Sequence, residues 1–316
     1  MRFKFLMLSP LLICMGCQLP AQLHAPSRLQ YGQVYVLPGI EGGNVLARNI
    51  ALGLDEGGVQ SAIEIYDWTT GIPGNFVVNL AYFERNRRVA REFAAEIAEY
   101  QRRHPQRPIH LVGHSGGAGI LVMALENLPE DAKVDSAILL GAALSQDYDL
   151  STALRHVHNG IVNFYSRRDV GFLKVGTSIL GPIDREFGVA AGAEGFTPPI
   201  DLTPESRRLY AQQLRQIGWN PRLKRYGADG THLGWAKLEF ARRFIAPIIT
   251  RNEARYGTPR GDYSRPAPDV PGRRADSDVE DAVRLPGRPL QDEVDVPPGE
   301  EAPEPTETAT QPGVRG

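Results

Sequence analysis

The sequence predicts an α/β domain in which helices cover both faces of a mostly parallel central sheet. Short apolar runs rich in Val, Ile and Leu alternate with longer stretches of helical period, a pattern typical of parallel strands joined by helical crossovers. The alternation extends over residues 31–250, which is the size of one α/β domain. With 42% hydrophobic residues, the chain can bury a sizeable core.

The individual strands and helices follow from these patterns. Strands are predicted at 34–37, 61–66, 109–112, 137–140 and 161–165, with a weaker sixth at 222–226. Helices are predicted at 45–54, 80–103, 118–128, 205–217 and 235–245. The second of these helices has an apolar stripe formed by Phe83, Val89, Phe93, Ile97 and Tyr100.

The first seventeen residues have the pattern of an export signal. Arg2 and Lys4 precede an apolar stretch at 5–15, which is too short to span a bilayer. The segment ends in Gly16-Cys17, which resembles the lipobox of bacterial lipoproteins, although Cys14 occupies the position where that motif usually has Leu. The resemblance implies an envelope protein tethered to a membrane surface through a lipid on Cys17, and ordinary secretion is the alternative.

The flanking segments and the overall composition exclude several classes of protein. Residues 18–30 are predicted to be a linker, and 251–316 a disordered tail that contains eleven of the 25 prolines. The two cysteines, Cys14 and Cys17, both lie in the presequence, so the predicted domain has neither a disulfide nor a cysteine nucleophile. A formal net charge of -2 gives no basic excess for binding nucleic acid.

A glycine-rich motif lies between the third predicted strand and the following helix. Gly113-His114-Ser115-Gly116-Gly117 has the pattern G-x-S-x-G. A serine on a sharp strand-to-helix turn needs small neighbours, and the helix N-terminus behind it favours developing negative charge. A plain glycine turn is the structural alternative. The context predicts that Ser115 is a nucleophile.

This motif in this context resembles the nucleophile elbow of the α/β-hydrolase superfamily, and the resemblance covers about residues 31–248. It implies a triad in the order serine, acid, histidine. His232, in a glycine-rich loop before the last predicted helix, is the one histidine that follows the predicted acid position. Asp169, just after the strand at 161–165, is the preferred acid, whereas Asp147 and Asp229 remain alternatives.

The resemblance also implies an oxyanion hole. Gly116 would donate one backbone N–H, and the segment 38–43, which resembles the H-G-x loop with Pro38 in place of histidine, would donate the second through Ile40 or, alternatively, Gly39. Asp67, Trp68 and Gly39 are candidates for the substrate pocket, with edge packing as an equal alternative. His114, the variable position of the motif, is interpreted as a packing or supporting residue near that pocket.

The implied activity is hydrolysis of a small-molecule or lipid carboxylic ester through an acyl-serine, without cofactor or metal. Amidase, thioesterase or acyltransferase activity would use the same triad, and a non-catalytic envelope binding protein is the alternative of another class. No paired histidine spacing suggests a metal site. No large cap is predicted between the strands at 137–140 and 161–165, while residues 170–220 leave open a lid over an acyl chain.

Overall fold

A six-stranded sheet forms the centre of the protein in a computed structural model that describes residues 19–72, 75, 79, 82–169, 183–184 and 189–253. The strand order is β2-β1-β3-β4-β5-β6, and all neighbouring pairs are parallel. The strands are β1 Gln33–Leu37, β2 Ala62–Ile65, β3 Ile109–His114, β4 Ser136–Leu140, β5 Ile161–Tyr165 and β6 Leu214–Gly218. The five stronger strand predictions are confirmed.

Helices pack against both faces of this sheet. They are α1 Pro26–Leu29, α2 Val45–Glu56, α3 Phe83–Arg103, α4 Gly116–Glu126, α5 Ser151–Arg155, α6 Ala191–Glu194, α7 Pro204–Gln213, α8 Leu238–Phe240 and α9 Ala246–Glu253. Short 3-10 helices lie at Ala21–His24, Pro221–Tyr226 and His232–Ala236, and one π-helical turn lies at Ala241–Ile245.

The inner strands contribute alternate side chains to two separate cores. Tyr35 and Leu37 of β1 pack in the core that contains the buried faces of α3 and α4. Val34 and Val36 of the same strand pack in the other core, with α2 and the C-terminal helices. Burial on both faces explains why the strands are nearly continuous apolar runs in the sequence. The protein therefore has the predicted α/β-hydrolase type of fold.

The sixth strand differs from the prediction. Residues 222–226 form a 3-10 helix, and the strand is Leu214–Gly218, which the periodicity assigned to the end of a helix at 205–217. Helix α7 ends at Gln213 because the backbone becomes extended at Leu214, where it pairs with Ile161 of β5. The half-exposed edge strand has no continuous apolar run, so its sequence also fits a helix.

The segment predicted as a linker, 18–30, contains two short helices that pack on the domain over residues 21–29. Leu23 is fully buried. The Arg28 guanidinium donates to Asp55 at 2.7 Å and to the carbonyl oxygens of Val59, Gln60 and Ser61 at 2.6, 3.1 and 3.0 Å. One buried side chain therefore attaches this segment to the end of α2 and the start of β2.

The last described helix extends past residue 250, where the tail is predicted to begin. Helix α9 continues to Glu253, whose carboxylate accepts hydrogen bonds from the backbone N–H of Ser61 at 2.9 Å and from its hydroxyl at 2.5 Å. The export signal and the rest of the predicted tail lie outside the described residues. No helix within the described ranges is long and apolar enough to cross a bilayer.

Replacing Arg28 by alanine is expected to lower the free energy of unfolding by about 2–3 kcal/mol, because Asp55 and three carbonyl groups lose their donor. Urea denaturation of the purified domain measures the change. Arg91→Ala, at an exposed position of α3, is the matched control and should stay within about 0.5 kcal/mol of the parent. A loss equally small for Arg28→Ala would show that residues 19–30 do not depend on this attachment.

Candidate active site

Ser115 lies on a sharp turn between β3 and α4. Its backbone has φ 54° and ψ -121°, a conformation that non-glycine residues rarely adopt. A Cβ at Gly113 would lie 2.6 Å from the Cα of Ala118, and one at Gly117 would collide with the carbonyl oxygen of Pro38. The two glycines therefore allow α4 to pack directly on the strands. This is the geometry that the G-x-S-x-G motif predicts.

Hydrogen bonds fix this turn to the neighbouring strand. The Ser115 N–H donates to the carbonyl oxygen of Leu140 at 2.9 Å, and the Ser115 carbonyl accepts from Ala143 at 3.1 Å. Strands β3 and β4 are in register so that His114 lies opposite Leu140. Ser115 and the residues after β4 therefore lie together at the carboxyl edge of the sheet, where α/β proteins place their ligands.

His232 and Asp169 form a buried pair at the same edge. The Nδ1 atom of His232 lies 2.6 Å from Oδ2 of Asp169, and the two residues are 3% and 2% exposed. Because a carboxylate only accepts hydrogen bonds, the contact assigns a proton to Nδ1 and leaves Nε2 as the basic nitrogen of the neutral ring.

Burial also determines the protonation of His232. Burial lowers the pKa of His232 below the ordinary 6.5, and His114 lowers it further, whereas the hydrogen bond that His232 donates to Asp169 opposes both effects. The ring is therefore neutral at pH 7. A neutral imidazole that donates through Nδ1 is the form needed to accept a proton from a serine.

His232 lies beside the Ser115 turn. Its ring is 4.9 Å, centre to centre, from the ring of His114, which directly precedes Ser115. The His232 ring also packs against Gly141. A Cβ at that glycine would lie only 3.2 Å from Nδ1 of His232. Gly141 follows Leu140, the residue that accepts the Ser115 N–H. The structure therefore places His232, with its partner Asp169, beside the turn that carries Ser115.

The alternative acids do not contact His232 in this way. Asp147 is exposed and lines a cavity of about 540 Å³ that contains none of the three triad residues. Asp229 accepts hydrogen bonds from the backbone N–H and hydroxyl of Thr231 at 3.0 and 2.6 Å, and pairs with Lys237 at 2.5 Å. Asp229 thus stabilises the turn that precedes His232.

The loop that carries His232 is fixed by side chains that the sequence did not single out. The Ser166 hydroxyl donates to the carbonyl oxygen of Gly230 at 2.7 Å, and Ser166 also accepts the N–H of Asp169 through its own carbonyl at 2.9 Å. One serine therefore connects the turn of the acid with the loop of the base. Gly230 has φ 87°, and a Cβ there would lie 2.8 Å from the ring of Trp219.

The predicted oxyanion loop lies against the N-terminus of α4. A Cβ on Gly116 would lie 3.0 Å from Cγ2 of Ile40 and 3.0 Å from the ring of Trp68. The Trp68 indole donates to the carbonyl oxygen of Pro38 at 2.7 Å, and Asn79 donates to that of Ile40 at 2.9 Å. These bonds fix the backbone of the loop beside Gly116, the first residue of the helix.

Two of the candidate pocket residues, Trp68 and Asp67, contact the predicted oxyanion loop. Trp68 is only 1% exposed, and its ring packs beneath the loop. This is the edge packing given above as the alternative to a pocket role. Asp67 is exposed and accepts hydrogen bonds from the N–H of Gly43 at 2.9 Å and of Thr69 at 3.0 Å. Both residues support the loop that contains Gly39 and Ile40.

Two other predicted features fall outside the described residues: Cys17, and residues 170–182 and 185–188 of the possible lid. Among the residues that are described, no group of three or more His, Cys, Asp or Glu side chains is arranged to bind a metal ion.

Comparisons with known proteins give distant similarities. A family model described as a protein of unknown function, DUF726, matches residues 75–175, and no curated protein matches the sequence. One similar solved structure is a dienelactone hydrolase-like promiscuous phosphotriesterase from metagenomic libraries, with 12% identity, a TM-score of 0.41, and coverage of 70% of this chain and 86% of that chain.

Two further solved structures show a similarly low sequence identity. RedJ, with a polyethylene glycol molecule in its active site, is 11% identical, covers 75% of this chain and 92% of its own, and has a TM-score of 0.35. The carboxylesterase CesB (YbfK) from Bacillus subtilis is 12% identical, covers 70% of this chain and 81% of its own, and has a TM-score of 0.30. Function therefore has to be inferred from the site itself.

Proposed function

We propose that this chain is a serine hydrolase that cleaves carboxylic esters, with Ser115 as nucleophile, His232 as general base and Asp169 as its acid partner. The observation that carries the proposal is the buried 2.6 Å contact between His232 and Asp169 beside a serine on a strained strand-to-helix turn. A buried polar pair next to a strained backbone is costly for a fold, and both features occur together at functional sites.

The proposed reaction begins with proton transfer. Nε2 of His232 takes the hydroxyl proton of Ser115 as Oγ attacks the ester carbonyl, and Asp169 stabilises the resulting imidazolium. The backbone N–H groups of Ile40 and Gly116 would donate to the oxyanion. His232 then gives the proton to the departing alcohol. Water, deprotonated by the same histidine, attacks the acyl-serine. The bond to Ser115 Oγ breaks, the acid leaves, and His232 returns the proton to Oγ.

Variants of the triad test this mechanism on p-nitrophenyl esters of increasing acyl length. Ser115→Ala is expected to lower kcat by about 10⁴-fold or more, and Asp169→Asn by about 10³–10⁴-fold, since the amide no longer favours the proton on Nδ1. Asp147→Asn is the matched control and should keep the parent kcat, because Asp147 is exposed in a different cavity.

The same experiment separates the alternatives. Full activity of Ser115→Ala would exclude the mechanism. A parent protein that reacts with a fluorophosphonate at Ser115 but cleaves no ester would have an amide, thioester or acyl-transfer substrate instead. A folded parent protein with neither reaction would be a binding protein.

The pH dependence of kcat/KM tests the role of His232. His232 must be neutral to accept the serine proton, and burial lowers its pKa below the ordinary 6.5. The rate should therefore rise with pH and reach half its plateau below pH 6.5. Measurements with a non-ionising ester, with circular dichroism to confirm folding at acid pH, give the profile. A half-plateau above pH 7 would argue that another group is the base.

We also propose that the protein is exported and anchored to a membrane surface through a lipid on Cys17, which supports a substrate near the membrane. Cys17→Ser expressed in a bacterium should lose labelled palmitate and leave the membrane fraction, whereas Cys14→Ser should retain both, since Cys14 would be removed with the signal. Equal labelling of the parent and of Cys17→Ser would refute lipidation at this residue.

A further inference from the structure

A second carboxylate–imidazole pair packs against the proposed triad. His114 is 1% exposed, and its Nδ1 atom lies 3.7 Å from Oε1 of Glu41. Its Nε2 atom lies 3.2 Å from the backbone carbonyl oxygen of His232. The His114 and His232 rings are 4.9 Å apart, with 39° between their planes. His232 therefore contacts Asp169 through its ring and His114 through its backbone.

Hydrogen-bond chemistry assigns the direction of these contacts. A carbonyl oxygen only accepts, so Nε2 of His114 donates to His232. Nδ1 of His114 faces Oε1 of Glu41 at 3.7 Å, which is longer than a direct hydrogen bond but close enough for the two side chains to pack against each other.

Glu41 lies in the predicted oxyanion loop and folds back over it. A Cβ on Gly39 would collide with the Glu41 carboxylate, so the glycine provides the space for this conformation. Burial raises the pKa of the Glu41 carboxyl, but His114, a backbone hydrogen bond and His232 together outweigh burial and bring the pKa below the ordinary 4.5. Glu41 is therefore ionised opposite His114.

We propose that Glu41 and His114 are a positioning pair for His232: Glu41 orients the His114 ring, and His114 fixes the backbone of the base. The proposal rests on the proposed function of His232. Asp169 sets the rotation of the His232 ring, and Ser166 holds the glycine-rich loop at Gly230, two residues before the ring. The bond from His114 holds the backbone at His232 itself. It also connects the base to the loop that contains Ile40.

Substitutions of His114 test the donor separately from the bulk of the ring. Gln can extend a donor toward the former Nε2, whereas Leu fills similar space without one. His114→Leu should lower kcat by about 10- to 100-fold with little change in KM, because a small displacement of the base misaligns the reacting atoms. His114→Gln should restore most of kcat. His156→Leu, which loses a bond to the carbonyl of Ala132 elsewhere, should leave kcat unchanged.

The spectroscopic signal of the base provides a readout that does not need turnover. The Nδ1 proton of His232, in its short bond to Asp169, should give a downfield proton NMR resonance in the parent and in His114→Gln. His114→Leu should shift or broaden it. Glu41→Ala should do the same to a smaller degree, while Glu41→Gln retains a group that can bond to His114.

The outcomes distinguish this proposal from the proposed function. Unchanged kcat and an unchanged resonance in His114→Leu would overturn the positioning role. If His114→Leu does not fold, Glu41→Ala replaces it, because Glu41 is at a partly exposed loop position. An unchanged kcat together with an unchanged resonance in that variant would overturn the positioning role. A parent protein without hydrolysis or fluorophosphonate labelling would refute the proposed function, while a resonance that still shifts in His114→Leu would support the positioning of His232.

Discussion

The backbone of Ser115 sets the geometry on which the rest of the site depends. A non-glycine residue with φ 54° costs on the order of 1–3 kcal/mol, and it persists only where its surroundings leave no relaxed alternative. Here Gly113 and Gly117 bring α4 into direct contact with β3 and with Pro38, and the amide and carbonyl of Ser115 are bonded to the segment after β4. The turn therefore exists only while β1, β3, β4 and α4 are packed together. Since Pro38 leads into the oxyanion loop, the same contact sets the distance between nucleophile and predicted donors.

Polar groups buried at this edge must be paired, and their pairing connects loops that are far apart in the chain. Burying an ionised carboxylate without a partner is strongly unfavourable, so Asp169 depends on His232 as much as His232 depends on Asp169. Ser166 and Gly230 connect the same two loops through a second bond. Each loop alone would be mobile, and the bonds between them give the base a defined position.

The carboxyl edge of the sheet thus carries two kinds of residue. Ser115, His232 and Asp169 are the residues of the proposed triad, whereas Trp68, Asn79 and Asp67 fix the loop beside them. Glu41 and His114 lie between the two groups and contact both. Such supporting contacts are what keep reacting groups within a fraction of an ångström of a productive geometry.

Much of this protein is determined by local sequence. The four inner strands are apolar because they are buried on both faces, the turn at Ser115 is recognisable because its strained backbone requires glycine neighbours, and His232 was predicted from chain order. Features that depend on contacts between residues far apart in the sequence were decided only by the tertiary structure. Strand β6 is extended because it pairs with the edge of β5, where Ile161 lies opposite Leu214. Asp169 was separated from Asp147 and Asp229 by contact with His232, and the pairing of Glu41 with His114 has no signal in the sequence. The physical reason is that a hydrogen bond depends on distance and direction, which sequence spacing does not specify across loops.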